Sequence, residues 1–172
     1  MTMTEQVELA RSGDRAAFGQ LYDAVAPDLY RMALYTLGNP HDAEDVVSET
    51  FLEAFKGIAK LRDAEAFRSW IFRILSFRCK RRVSQYILHR GEIDLDSYFE
   101  TAGEATQEDS TVRAELSEAL SRLTVEEREI VLLSVLEGYT MREIALIMGL
   151  PQGTVSSKLH RTLKKLRTQL DH

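Results

Sequence analysis

Between Thr140 and Leu170 the chain runs TMREIALIMGLPQGTVSSKLHRTLKKLRTQL, a stretch that few folds accommodate. Thr140 with Glu143 makes a capping box for a helix whose apolar face is Ile144, Ala145, Ile147 and Met148. Gly149 stops that helix. In the next one Val155, Leu159, Leu163, Leu166 and Leu170 recur at helical spacing and face inward. Gln152, Thr154, Ser156, Ser157, Lys158, His160, Arg161, Lys164 and Lys165 are left mostly outside. The pattern is that of a helix-turn-helix, in which the start of the second helix meets base edges in the major groove. A plain helical hairpin with a solvated basic face has the same spacing.

Charge is distributed in blocks. The net charge of −5 argues against strong duplex binding by charge alone. Met1 to Phe55 holds ten acids against three Lys or Arg, whereas Lys56 to Arg90 holds ten Lys or Arg against Asp63 and Glu65. Gly91 to Thr111 has seven acids and no Lys or Arg. Such blocks suit separate partners, although a solvated acidic face explains any one of them. Cys79 is the single cysteine, so there is no disulfide framework and no thiol metal site, and a reducing, cytoplasmic compartment is expected. No apolar run approaches the roughly 18 residues of a membrane span, and MTMTEQVELARSGDR lacks a signal-peptide core.

Phe18, Leu21, Tyr22, Val25, Leu29, Tyr30, Ala33, Leu34 and Leu37 hold helical spacing, with a bend or short break expected at Pro27 and a stop at Gly38. Asn39 and Pro40 open a new helix. Ala43, Val46, Val47, Thr50 and Ala54 line its inner face, while Asp42, Asp45, Glu49 and Glu53 surround Leu52 on the other. That outer face suits a basic partner or is simply solvated. After an interruption from Gly57 to Ala66, Phe67 opens a helix with core residues Trp70, Ile71, Ile74 and Leu75. Beyond Phe77 the cations Arg78, Lys80, Arg81 and Arg82 fall on several faces without partners in the segment, so this helix is expected to outrun its core. Phe72 and Phe77 beside Arg73, Arg78, Arg81 and Arg82 suit unpaired bases, or form an aromatic core with a wet basic end.

Gly91 to Thr111 has no sustained periodicity and is expected to be a flexible acidic linker. It divides an all-α chain into two small helical domains, 1–90 and 112–172. In the second, Val112 to Leu123 is expected as a helix, and Thr124 with Glu127 caps another from Val125 to Glu137, nearly all apolar and closed by Gly138.

These residues resemble the bacterial RNA polymerase sigma factors of the compact extracytoplasmic-function group of the sigma-70 family, over nearly the whole chain. Asp42-Ala43-Glu44-Asp45-Val46-Val47 with Glu49, Phe51 and Ala54 is similar to the family's polymerase-binding helix. Phe67-Arg68-Ser69-Trp70-Ile71-Phe72-Arg73-Ile74 is similar to its melting segment. Leu123-Thr124 to Arg128, Glu143-Ile144-Ala145, Met148-Gly149 and Gly153-Thr154-Val155, with Ser157, Leu159, Arg161 and Leu166, resemble its upstream-element reader.

The resemblance implies a non-enzymatic factor, without cofactor or metal, that binds core RNA polymerase and promoter DNA. It further implies that an anti-sigma protein restrains the factor, which is monomeric when free and does not insert into membranes. Asp42, Asp45, Glu49 and Leu52 would dock on polymerase. Leu61, Arg62, Asp63, Phe67, Trp70, Phe77, Arg78 and Arg81 would capture and melt the −10 element. Gln152, Thr154, Ser156, Ser157, Lys158, Arg161 and Lys165 would meet the −35 element, and the acidic linker would thread toward the RNA exit path. The chain departs from the family pattern at two places, with Phe77 where Asn is common and Arg81 where Asp is common. A dimeric helix-turn-helix repressor would explain the C-terminal third, but leaves the Asp42–Glu53 and Phe67–Arg82 segments without a role; an adaptor that binds polymerase and not DNA is the third class.

Overall fold

The computed structural model describes residues 1–90 and 110–170, and among them every regular element is helical. In chain order the α-helices are α1 (Met3–Arg11), α2 (Arg15–Leu37), α3 (Pro40–Gly57), α4 (Phe67–Arg90), α5 (Ser110–Ser121), α6 (Val125–Val131), α7 (Met141–Met148) and α8 (Gln152–Leu170). Two 3-10 turns, Ile58–Lys60 and Ala64–Ala66, join α3 to α4, where helical spacing lapses in the sequence. Most of the expected linker, residues 91–109, lies outside the described residues. The helix expected from Val112 already begins at Ser110.

The N-terminal half is built on α2, α3 and α4. Asn39 accepts from the backbone N–H groups of His41 and Asp42 and so starts α3, while Gly38, at φ 70°, ends α2 in the left-handed conformation. Pro27 does not break α2, contrary to the sequence expectation. It sits on the exposed side, where a freed carbonyl can bond water, while Val25 and Leu29 are fully buried and hold the helix to its neighbours. Apolar spacing does not predict α1, yet Thr2 and Glu5 form a full capping box at its start, and Val7 and Ala10 bury against the other helices.

Helix α4 keeps its core as far as Val83, further than its cations suggest, and outruns it only beyond, where Ile87 and Leu88 are exposed. Cys79 is fully buried and Val83 nearly so, and two of the cations, Arg78 and Arg82, find partners across on α3. Arg82 reaches Asp42 at 2.9 Å and Glu49 at 2.8 Å, and Arg78 reaches Glu53 at 3.3 Å. The guanidiniums thus close the α3–α4 seam where apolar residues stop.

In the C-terminal half, Thr124 and Glu127 cap α6 reciprocally, and Thr140 and Glu143 cap α7. The helix expected to run to Glu137 instead changes after Val131 into a π-helical turn, Leu132–Leu136. Its wider pitch turns Val135 into solvent, 68% exposed, although Ile130, Val131, Leu132 and Leu133 stay buried. Gly149 at φ 68° makes the turn into α8. Apolar residues of both halves belong to one continuous cluster, with α4 packed on α6 and α7, and α2 on α5 and α6. Among the described residues no helix is long and apolar enough to cross a membrane.

Candidate polymerase and promoter surfaces

The first surface is the outer face of α3. Because Ala43, Val46, Val47, Thr50 and Ala54 are buried, helical geometry turns Asp45, Glu49 and Leu52 outward. The four expected docking residues are not equivalent. Asp45 is the open carboxylate, with its side chain 65% exposed and Arg82 no nearer than 3.6 Å, whereas Asp42 and Glu49 are clamped by that guanidinium. Leu52 is 57% exposed. An aromatic strip flanks it: Phe55 and Tyr22 are also exposed, the Phe18 and Phe55 rings lie 5.2 Å apart, and those of Tyr22 and Phe51 4.2 Å. Sequence reasoning misses Phe55 and Tyr22 as surface residues. The four-residue spacing of Phe51 and Phe55, matched by Phe18 and Tyr22, is the signal that could have found them.

The second surface spans the turns before α4 and one of that helix's faces. Arg62, Asp63, Phe77 and Arg81 are exposed, and Trp70 is half-buried beside Gly57 and Phe67. Asp63 accepts from the N–H of Glu65 at 3.0 Å, which fixes the turn that presents Arg62. Leu61 and Phe67 are buried, so of the expected −10 residues these two hold the scaffold, and Arg78 is engaged by Glu53. Arg73, Phe77 and Arg81 are all exposed at four-residue steps and form a cation–aromatic–cation row. Arg81 also lines a shallow cleft with Glu49, Arg78, Arg82 and Gln85. Phe72, grouped with Phe77 from sequence, is instead fully buried and meets Tyr139 edge-on at 5.7 Å. It cannot stack on a base from that position.

The third surface is the start of α8. Val155 and Leu159 are buried against the bundle, leaving Gln152, Ser156, Ser157, His160, Arg161 and Lys164 exposed and Thr154 half-buried. Two of the expected DNA cations are engaged inside the chain. Lys158 pairs with Glu126, and Lys165 lies 2.9 Å from Glu127, which also accepts from Thr162 at 3.2 Å. Burial raises the Glu127 pKa, but hydrogen bonds from the Thr124 backbone and from Lys165 outweigh it and bring the carboxyl down to about 2. Both acids stand in the first turn of α6, where the helix dipole also favours them.

Polar groups are also buried between the two halves. Arg128 is 1% exposed and donates to the carbonyls of Thr36 and Leu123. Glu129 is fully buried and accepts from Ser76 Oγ at 2.5 Å. Glu137, its side chain 2% exposed, lies 3.0 Å from Arg68, which also holds Asp28 at 2.7 Å. Among the described residues no group of His, Cys, Asp and Glu is placed to hold a metal.

Sigma-70 region 2 matches residues 21–86, and sigma-70 region 4 matches residues 113–166. The chain is 28% identical to the ECF RNA polymerase sigma factor SigW of Bacillus subtilis, across 99% of its own length and 97% of the relative's. It is 30% identical to the ECF RNA polymerase sigma factor SigL of Mycobacterium tuberculosis, across 96% and 95%. Among solved structures, CnrH in complex with the cytosolic domain of CnrY covers 98% of this chain and 97% of its own at TM-score 0.74 and 25% identity. The sigma factor RpoE of Bartonella quintana, solved with the anti-sigma factor NepR, shares the fold at TM-score 0.75 and 22% identity, over 90% of this chain and 96% of its own.

Proposed function

We infer the working of this chain from its family: it belongs to the extracytoplasmic-function sigma factors of the sigma-70 family, and it is a promoter-recognising factor that works with RNA polymerase. Sigma factors regulate transcription and are not enzymes. The work divides among three sets of residues.

The α3 face meets core polymerase, with Asp45 steering a basic surface and Leu52, flanked by Phe55 and Tyr22, supplying the apolar contact. Asp42 and Glu49 act there as a pair set in place by Arg82. The Arg73–Phe77–Arg81 row, with Arg62, Asp63 and Trp70, meets the −10 element as its strands part. Bases stack on Phe77 and Trp70, and the guanidiniums hold phosphates. Phe77, where Asn is common in the family, meets bases by stacking, which tolerates more sequences. Leu61 and Phe67 keep the turn and helix in register, and Arg78 reaches DNA only by leaving Glu53.

At the −35 element Gln152, Thr154, Ser156 and Ser157 approach base edges, while Arg161, joined by His160 and Lys164, approaches phosphates. Lys158 and Lys165 can do so only by leaving Glu126 and Glu127. The exposed Leu52, Phe55, Val135 and Leu146 leave apolar surface that an anti-sigma factor would cover when the protein is held idle. The observation that carries the assignment is the pairing, in one chain, of an exposed cation–aromatic row with a capped helix-turn-helix. Transcription by core polymerase supplemented with this chain tests it: initiation at a −35/−10 promoter supports it, and failure of both core binding and initiation refutes it.

A further inference from the structure

We propose that α1, through Val7 and Ala10, is a positioning element of the −10 reader: it braces the turn at residues 61–63 in the pose from which Arg62 and Asp63 meet DNA. The consequence for DNA rests on the function inferred above; the bracing of the turn does not. None of the polymerase or promoter residues assigned above lies on α1. A change there that alters only the use of the −10 element therefore acts through the turn.

The turn does not fix its own position. It lies between the 3-10 turns Ile58–Lys60 and Ala64–Ala66, and the hydrogen bonds there are local. The Leu61 N–H donates to the Ile58 carbonyl at 3.1 Å, the Ala66 N–H to the Asp63 carbonyl at 3.0 Å and the Glu65 N–H to the Asp63 carboxylate at 3.0 Å. Bonds across two or three residues shape a turn without setting where it stands on the body of the protein. That falls to the apolar side chains it buries, Ile58, Leu61 and Ala64, while Lys60, Arg62 and Asp63 stay exposed. Apart from α3 and α4, which they join, the two 3-10 turns pack chiefly against α1.

On its other side α1 is tied to α2. Gln6 donates to the Gln20 side chain at 2.8 Å, the Asp14 N–H donates to the Leu9 carbonyl at 3.0 Å, and the Asp14 carboxylate accepts from the Ala17 N–H at 3.1 Å as the cap of α2. The short helix thus stands between a long helix and the turns, with Val7 fully buried and Ala10 nearly so. Its nine residues are fewer than the roughly 12–15 that a helix needs to persist alone in water. Packing holds α1 together, so losing apolar contact on the side of the turns weakens helix and turn at once.

Trypsin probes the turn without polymerase or DNA, since Lys60 and Arg62 are exposed in it, and a promoter library transcribed with core polymerase probes its use. In the free full-length chain Val7→Ala should speed cleavage after Lys60 and Arg62 roughly tenfold, as the opened turn becomes more populated, and leave cleavage after Arg142 and Arg161 unchanged. With core polymerase the same variant should shift the relative use of −10 sequences several-fold, with −35 use and core affinity as in wild type. Glu8→Pro, which breaks α1 from its exposed side, should do both more strongly, and Val7→Ile, which keeps an apolar β-branched side chain, should do neither. Cleavage after Lys60 and Arg62 that is unchanged, or that rises equally at every site, overturns the proposal, as does a freed turn with wild-type −10 use. If the wild-type chain itself initiates nothing, the functional reading fails and proteolysis alone decides the brace.

Discussion

Ser76 donates a 2.5 Å hydrogen bond to Glu129 across the seam between the two halves, tying the helix that bears the Arg73–Phe77–Arg81 row to the helix that precedes the helix-turn-helix. Both groups are buried, and the half-buried Lys80 lies 3.8 Å from the same carboxylate. Two surfaces proposed to meet separate DNA elements are thereby fixed in one body, while each keeps its outward face free.

Docking on polymerase should depend on the open residues of α3. Asp45→Lys combined with Leu52→Ala should weaken core binding by at least about 1 kcal/mol while changing stability by less than about 0.5 kcal/mol, because both side chains are exposed. Competition against wild type for core polymerase, with thermal unfolding alongside, measures both. Arg82→Ala should behave differently. It removes the partly exposed pairings with Asp42 and Glu49 and should cost about 1 kcal/mol of stability as well as affinity.

Phe77→Ala should slow promoter opening or change −10 preference with little effect on folding, since the ring is 59% exposed. Phe67→Ala should do the reverse and cost about 3–5 kcal/mol, because that ring is 1% exposed in the core. Permanganate footprinting of the opened strands and denaturant unfolding separate the two. If Phe77→Ala opens promoters normally and leaves −10 preference unchanged, it is not the base-stacking residue.

Acid should loosen the seat of α8. The Glu127 carboxyl, lowered from 4.5 to about 2, contributes stability that is fully present above pH 4.5 and is lost as pH falls toward about 2. Glu127→Gln should flatten that acid limb in pH-dependent unfolding. It should also lower stability at neutral pH by about 1–2 kcal/mol, by weakening the capping box and removing the Lys165 pair. An unchanged acid limb would remove Glu127 from this role.

At the −35 element the cations should divide into two groups. Arg161→Ala should weaken binding of all sequences by the polymerase complex and reduce the salt slope, as a phosphate contact does. Lys158→Gln, whose partner is Glu126, should lower stability while leaving the salt slope nearly unchanged. Equal changes in slope for both would show that Lys158 abandons Glu126 for DNA.

Interaction range decides which features are legible in the sequence. Capping boxes at Thr124 and Thr140 and the glycine stops at Gly38 and Gly149 act within four or five residues, so the helix-turn-helix and most helix ends can be read directly. Arg82 looks unpartnered in sequence because its acids stand on another helix, Asp42 forty positions away. Phe72 and Phe77 look alike in sequence, yet their different angular positions on α4 bury one and expose the other. The π-helical turn at Leu132–Leu136 has no local residue signal, and the seam between the halves brings together residues more than fifty positions apart. Charge blocks are visible as composition. Their pairing across α3 and α4 is not.

The most direct measurement is transcription of a randomised −35/−10 promoter library by core polymerase carrying the wild-type chain, a Ser156→Ala, Ser157→Ala variant or a Phe77→Ala variant. Initiation should require this chain and both elements. The serine variant should change only which −35 sequences are used, at roughly 1–3 kcal/mol for each base-edge hydrogen bond removed, and the phenylalanine variant only the −10 sequences or the rate of opening. No transcription with core polymerase, together with tight sequence-specific duplex binding by the free chain as a dimer, would contradict the account.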